Sequence, residues 1–170
     1  MAVQPPEDPN SNLYLQYQVG DEYFASAIKD VFLIVNSFGI IRIPDAPDYM
    51  LGAIYHGGMI LPVINMRLKL GMMPGIKQNE DYTILVMDLG KNFNQTYKTH
   101  VGVLVDRVMA LHAVSQSSII PPRHNLFPTH PNLIQGMVHI KNFNLMIPDA
   151  ENLFNKGELN DILNACNELQ

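Results

Sequence analysis

Short apolar segments, each bounded by turn-forming residues, run along most of the chain and predict a mainly β fold. Residues 13–19 alternate between apolar and polar in their second half, as expected of a strand with one buried face. Gly20-Asp21 then predicts a tight turn into a partner strand over 22–27. Further strands are predicted at 31–35, 40–43, 53–56, 59–65, 82–89, 100–105, 108–114, 133–140 and 143–147.

The centre of the chain predicts a helical turn and a hairpin. Pro47 suits the start of a short helix over 48–51 because its fixed φ matches the first helical turn, and Gly52 can end that helix. The hairpin follows, with its turn at Gly57-Gly58. Pro62 stands within the second strand and donates no ladder hydrogen bond, which favours a sheet edge or a bulge there.

After Pro148 the spacing of apolar residues changes from that of a strand to that of a helix. A helical turn is predicted over 149–154 and a longer helix over 158–169. The loop at 70–80, which contains glycine and proline, divides the strands into two sets, and each set has enough strands to close a small barrel of its own. No exact internal repeat is present.

The composition is that of a folded chain, and it excludes several kinds of partner. Hydrophobic residues make up 47% of the chain and charged residues 16%, which is enough apolar surface for a core. The net charge is −5 and lysine and arginine form no cluster, which argues against nucleic acid and against an anionic membrane surface. No apolar run has membrane-spanning length, so no direct membrane insertion is expected. We expect a soluble cytoplasmic protein with a disordered, acidic and proline-rich tail over 1–11.

Six histidines raise the question of a metal or catalytic site. They form no i, i+4 pair and have no carboxylate at ligand spacing, which favours solvated or hydrogen-bonded side chains. Cys166 is the only cysteine and lies on the apolar side of the last helix, which indicates a buried thiol rather than a nucleophile. No cofactor, metal or catalytic residue is therefore expected. A small histidine-dependent enzyme or metal-binding protein is the remote alternative.

Several segments match one known pattern when they are taken in chain order. Val31 and Ile34 form a Val-x-x-Ile pair after the first hairpin. Residues 58–67 read Gly-x-Ile-x-Pro-Val-x-Asn-x-Arg, and residues 102–108 read Gly-x-x-Val-Asp-x-Val. Together these segments resemble the CheW-like domain, the coupling module of bacterial chemotaxis, over about residues 13–154.

The resemblance implies two intertwined, SH3-like, five-stranded β-barrel subdomains followed by a C-terminal helix. It places the CheW-like domain at 12–156, with the central hairpin 52–67 in the first barrel, and the helix at 157–170. It also implies a non-enzymatic adaptor that joins the cytoplasmic tip of a chemoreceptor to the regulatory domain of a histidine kinase. Other CheW-like domains are further expected partners, and polar chemoreceptor arrays are the expected location.

By this resemblance, eight residues are candidate protein contacts: Val31, Ile34, Gly52, His56, Gly57, Ile84, Val108 and Leu111. One departure from the family stands out among them. The family usually has Asn-Leu-Arg-Gly where this chain has Tyr55-His56-Gly57-Gly58, so glycine replaces an arginine expected to help hold the receptor. The alternative is therefore an accessory adaptor that binds the kinase or other adaptors without standard receptor coupling, such as one in a chemosensory system for type IV pili and twitching motility.

Overall fold

A computed structural model of the chain describes residues 11–37, 39–73, 82–89, 99–122, 132–154 and 156–169. Within these ranges the strands are β1 (Ser11–Val19), β2 (Glu22–Ala27), β3 (Val31–Ser37), β4 (Met50–His56), β5 (Met59–Asn65), β6 (Tyr82–Asp88), β7 (His100–Val105), β8 (Arg107–Ser115), β9 (Ile134–Ile140) and β10 (Phe143–Pro148). The helices are α1 (Met66–Lys69), α2 (Ala150–Leu153) and α3 (Lys156–Asn167), and 3-10 turns occupy Ile28–Asp30 and Gln116–Ser118.

The strands form two five-stranded sheets that interleave along the chain. Sheet I has the order β8-β1-β2-β10-β9, and sheet II has the order β3-β6-β7-β5-β4. The mainly β, intertwined architecture implied by the resemblance is therefore confirmed. The expectation that the strands on each side of the loop at 70–80 close a barrel of their own is wrong, because β1 and β2 pair within the sheet that contains β8, β9 and β10.

Each sheet closes into a barrel through one short bridge. In sheet II, the segment after edge strand β3 returns to the opposite edge strand β4, where Ile41 and Ala53 exchange backbone hydrogen bonds of 2.7 and 2.8 Å. In sheet I, the segment after β8 returns to β9, where Ile120 and Met137 exchange two bonds of 2.9 Å. The two barrels therefore close in the same way.

The barrels are circularly permuted copies of one unit, a repeat that the sequence does not show. Strands β8, β9, β10, β1 and β2 correspond in order to β3, β4, β5, β6 and β7, and each barrel has its one parallel pair at the same place, β10 with β2 and β5 with β7. Gly52 precedes Asn65 by the same number of residues as Gly136 precedes Asp149. Asn65 and Asp149 each accept a backbone N–H at the start of the helix that follows.

Three apolar clusters fill the described part of the protein. The interior of barrel I is built from Tyr14, Ala25, Val114, Val138, Leu145 and Ile147, all on sheet I. The interior of barrel II is built from Val35, Ile54, Leu61, Val63, Ile84 and Val86, all on sheet II. A third cluster, here called the inter-barrel core, joins the outer faces of both sheets to α3, and includes Leu15, Phe24, Met50, Ile64, Met87, Leu159 and Ile162. Period-two alternation explains this division, because each strand serves a barrel interior with one face and the inter-barrel core with the other.

The centre of the chain differs from its sequence-based prediction. The helix predicted over 48–51 is absent, since Tyr49 lies in a turn and β4 begins at Met50. Gly52 does not end a helix but lies within β4. The strand predicted at 40–43 is reduced to the bridge at Ile41. Closure of the barrel explains all three differences, because β4 must be extended to pair with the segment around Ile41.

Pro62 also departs from its prediction. It lies on an interior strand, since β5 pairs with β4 on one side and β7 on the other. Pairing with β7 begins one residue later, at Val63, so the missing proline donor falls outside that ladder. The helix predicted over 158–169 is confirmed as α3. The tail predicted over 1–11, apart from Ser11, and most of the loop predicted at 70–80 lie outside the described residues.

Candidate functional site

The predicted contact residues lie in three places rather than one. Val31 and Ile34 are on β3, an edge strand of barrel II. His56 and Gly57 are at the tip of the β4–β5 hairpin. Val108 and Leu111 are on β8, the edge strand of barrel I that corresponds to β3. Since the two barrels repeat one unit, the pair on β8 is the structural counterpart of the pair on β3.

Strand β3 carries two large apolar side chains that are partly exposed to solvent. The side chain of Ile34 is 47% exposed and that of Phe32 is 42% exposed, whereas Val31 is half-buried against the inter-barrel core. The Phe32 ring stacks on the imidazole of His100, with centroids 4.0 Å apart and planes inclined by 20°. Phe32 was not among the predicted contacts. The signal available in the sequence was the unbroken apolar run 31–35, because a strand with one buried face needs only alternate apolar residues.

The hairpin tip is open and built from glycine. Gly57 and Gly58 have φ values of 57° and 80°, in the left-handed region that glycine enters without strain. A β carbon at either position would meet no atom within 4 Å. His56 and Tyr55 are exposed beside them. The tip therefore has room for a larger residue at position 57 but offers no charged group there.

Two of the predicted contacts are buried. Ile84 is fully enclosed in the interior of barrel II. Gly52 is buried at the barrel closure, where a β carbon would stand 2.1 Å from the carbonyl oxygen of Ile41. Neither residue can contact a partner directly. A substitution at either position would affect binding only by changing the structure of barrel II.

On β8, Val108 and Leu111 are half-buried against the inter-barrel core. Between them, the sulfur of Met109 accepts a 3.5 Å contact from Nε2 of the buried Gln16. The Oε1 atom of Gln16 lies 2.6 Å from Nε2 of His112. Burial lowers the pKa of His112 and the charge of Lys141 lowers it further, so this histidine serves as a neutral partner of Gln16 at physiological pH.

A cavity of about 440 Å³ lies between the barrels. The lining comes from both: Tyr14, Tyr17 and Ser26 from barrel I, and Met66, Leu85 and Met87 from barrel II. Lys29 and Asp30, the two residues before Val31, are also part of the lining. The cavity therefore adjoins the start of β3 and the predicted contacts there.

The cavity is more polar on the side of barrel I. There the hydroxyl groups of Tyr17 and Ser26 lie 3.0 Å apart in a buried hydrogen bond. Burial raises the pKa of Tyr17 to about 12, and the hydrogen bond with Ser26 opposes part of that rise.

This buried phenol predicts a loss of stability in alkali. Because the folded-state pKa exceeds the ordinary value of 10.0, the native state holds the proton more tightly, so stability is complete below pH 10 and falls as pH rises toward 12. The loss from Tyr17 approaches about 1.4 kcal/mol per pH unit in this window. Urea unfolding at several pH values should show a shallower decline for Tyr17→Phe than for the wild type. Equal slopes would contradict the assignment.

An ion pair joins the two barrels where the chain crosses between them. Asp106 stands between β7 of barrel II and β8 of barrel I. The carboxylate accepts two 2.9 Å hydrogen bonds from Nη2 of Arg67 and one from the backbone N–H of Gly20. Arg67 and Asp106 belong to the sequence motifs quoted above, and the structure shows that they connect the barrels.

The described residues hold no arrangement suited to metal chemistry. No three histidine, cysteine, aspartate or glutamate side chains among them come together in a metal-binding group, and His124 and His130 lie outside the described ranges. The thiol of Cys166 is buried, which raises its pKa to about 11. No helix in the described part of the chain has the length and apolar content needed to span a bilayer.

The family model of the CheW-like domain matches residues 13–158, most of the chain. The chain belongs to the CheW-like domain family. Among curated relatives, the chemotaxis protein CheW of Helicobacter pylori is 31% identical over 73% of this chain and 70% of the relative. The chemotaxis protein CheW of Treponema pallidum is 26% identical over 87% of this chain and 85% of the relative.

A solved structure shares the fold. The crystal structure of scaffolding protein TtCheW from Thermoanaerobacter tengcongensis superimposes with a TM-score of 0.73 at 22% identity, and covers 87% of this chain and 95% of its own. Members of the CheW-like family are non-enzymatic scaffolds, and this chain is not an enzyme.

Proposed function

We propose that this protein is a cytoplasmic adaptor of chemotaxis signalling that couples a chemoreceptor to the regulatory domain of a histidine kinase. Family membership and the names of the relatives support the signalling role. The observation that carries the receptor contact is the exposed apolar surface of β3, where Ile34 is 47% exposed and pairs with Leu85, a residue that lines the inter-barrel cavity. Such a surface on a rigid sheet suits an apolar segment of a partner.

Two other surfaces remain for the kinase and for sister adaptors. The hairpin tip at His56 and Gly57 is exposed at the end of barrel II, and the equivalent tip of barrel I carries Lys141. A kinase regulatory domain or another CheW-like domain placed at these ends would leave β3 open to the receptor. One chain would then bind both partners, as a coupling protein must.

Binding of purified partners tests the receptor contact. We expect Ile34→Ser to weaken binding of a chemoreceptor cytoplasmic fragment by about tenfold, because truncating a central apolar contact removes more than about 1 kcal/mol. Ile120→Ser is a matched control, since Ile120 is 55% exposed on the other barrel. Wild-type protein that bound neither the receptor fragment nor the kinase domain would contradict the proposed function.

The second candidate is an accessory adaptor that binds the kinase or other adaptors without receptor coupling. The glycine at position 57 motivates it, and a pilus-linked chemosensory system that controls twitching motility is its proposed setting. Normal twitching in a strain that lacks the protein would argue against that setting.

Restoring the family arginine separates the two candidates. Gly57→Arg should keep the fold at a cost of about 1 kcal/mol, because the position is open and Lys141 already adopts a φ of 54° in the equivalent turn. If the accessory role holds, this substitution creates or strengthens receptor binding, measured by titration calorimetry. Gly58→Arg is the control at the neighbouring position. No change with Gly57→Arg would remove the reason for the accessory candidate.

A further inference from the structure

Both barrels contain the same bulge in the same strand. In barrel II, β3 pairs with β6 through Val31 and Leu33, and Phe32 between them is the extra residue. In barrel I, β8 pairs with β1 through Val108 and Ala110, and Met109 is the extra residue. The two bulges are equivalent under the internal repeat. A bulge turns its extra side chain away from the regular alternation of the strand, and bulges commonly place a side chain at a functional surface.

The two bulged side chains have opposite surroundings. Met109 is partly buried, and its sulfur accepts a hydrogen bond from the buried Gln16. Phe32 is 42% exposed and lies flat against the imidazole of His100. Barrel I thus covers much of the bulged side chain, whereas barrel II stacks it on His100 and leaves 42% of it exposed. Comparison of the two equivalent bulges shows that Phe32 is the more exposed of the two bulged side chains.

The Phe32 ring extends the apolar surface already assigned to the receptor. Ile34 follows it on the same strand, and the exposed Ile28 precedes it. Lys29 and Asp30, between Ile28 and β3, line the inter-barrel cavity, so the cavity adjoins the start of β3. A rigid aromatic ring with one face held in place loses little conformational freedom on binding, which is why aromatic residues are frequent among the dominant contacts of interfaces.

We propose that Phe32 determines receptor specificity in this protein and that His100 is a positioning residue that holds the ring in place. The occupant is an apolar segment of the chemoreceptor cytoplasmic tip, which lays an aliphatic or aromatic side chain on the exposed part of the ring. This inference rests on the proposed function and adds to it a specific aromatic contact with the receptor.

Titration of a purified receptor cytoplasmic fragment into the full chain tests the contact. We expect Phe32→Ala to weaken receptor binding by about tenfold and to leave the affinity for the kinase regulatory domain unchanged, which would show that the fold is retained. Met109→Ala is the matched control from the other barrel. It should lower the unfolding midpoint, because Met109 is partly buried, and leave receptor affinity unchanged.

A rescue experiment tests whether stacking on His100 holds the Phe32 ring in place. His100→Ala should weaken receptor binding, whereas His100→Phe should retain it, because a phenyl ring preserves the stack. Equal losses with His100→Ala and His100→Phe would overturn the positioning role.

The outcomes distinguish this inference from the proposed function. Wild-type protein that does not bind the receptor fragment overturns both. Receptor binding that is weakened by Ile34→Ser but not by Phe32→Ala overturns this inference alone. Self-association of the chain that Phe32→Ala abolishes, with receptor binding unchanged, would assign the ring to a second copy instead and would also overturn it.

Discussion

Replacing Gly52 with alanine is expected to lower the free energy of unfolding by about 3 kcal/mol, because the substitution combines a backbone clash, backbone strain and lost hydrogen bonds. The new β carbon would stand 2.1 Å from the carbonyl oxygen of Ile41, an atom that cannot move while Ile41 is paired with Ala53. The φ of Gly52 is 145°, a conformation that side chains other than glycine rarely adopt. We therefore expect barrel II to lose its closure between β3 and β4.

Urea unfolding measures this effect, and other glycines of the chain supply controls. A β carbon added at Gly39 would meet no atom within 4 Å and the backbone there is unstrained, so Gly39→Ala should change stability by less than about 0.5 kcal/mol. Gly136→Ala should give an intermediate loss, since its nearest obstacle is the movable Cγ2 of Ile119 at 2.6 Å. Equal stability of Gly52→Ala and Gly39→Ala would contradict the closure role.

Replacing Ile162 with alanine should lower the free energy of unfolding by about 3 kcal/mol, within the range for deleting a buried aliphatic side chain. Ile162 is on α3 and is fully buried in the inter-barrel core. Lys69 supports the same helix, because its ammonium lies 2.7 Å from Glu158 on α3 and 4.4 Å from the ring centroid of Tyr49. We expect α3 to be part of the folded unit, although the family match ends near its start.

The control for Ile162→Ala is Asn164→Ala on the exposed side of the same helix, which should leave stability within about 0.5 kcal/mol of the wild type. Circular dichroism at a helical wavelength and tyrosine fluorescence should report one shared transition. A helical signal that melts first, with the strands unaffected, would show that α3 is an appendage and not part of the core.

Local patterns were sufficient for most of the strands, because alternation and turn residues act between neighbours in the chain. The hairpins β1–β2, β4–β5 and β9–β10 and the helix α3 all lie close to their predicted positions. The prediction failed over 48–52, where proline and glycine suggested a helix. There the long-range bridge between Ile41 and Ala53 overrides the local preference.

For the candidate contact residues, too, the local sequence provided part of the answer and the pairing of distant strands decided the rest. Resemblance named Ile34 and Ile84 together, but strand pairing leaves Ile34 exposed and encloses Ile84. The apolar run 31–35 signalled an exposed apolar residue but could not identify Phe32, because the position of the bulge depends on the register between β3 and β6. The residues that line the cavity could not be named for a related reason, since they come from strands far apart in the chain.

The amino-acid sequence alone established a mainly β chain with a C-terminal helix and its likeness to one adaptor family, since these depend on short-range periodicity and ordered motifs. The tertiary structure alone decided which strands share a barrel, that the barrels repeat one permuted unit, and which apolar side chains remain exposed. The physical reason is that each strand has two faces and two edges, and only the pairing of distant segments determines which of these are buried.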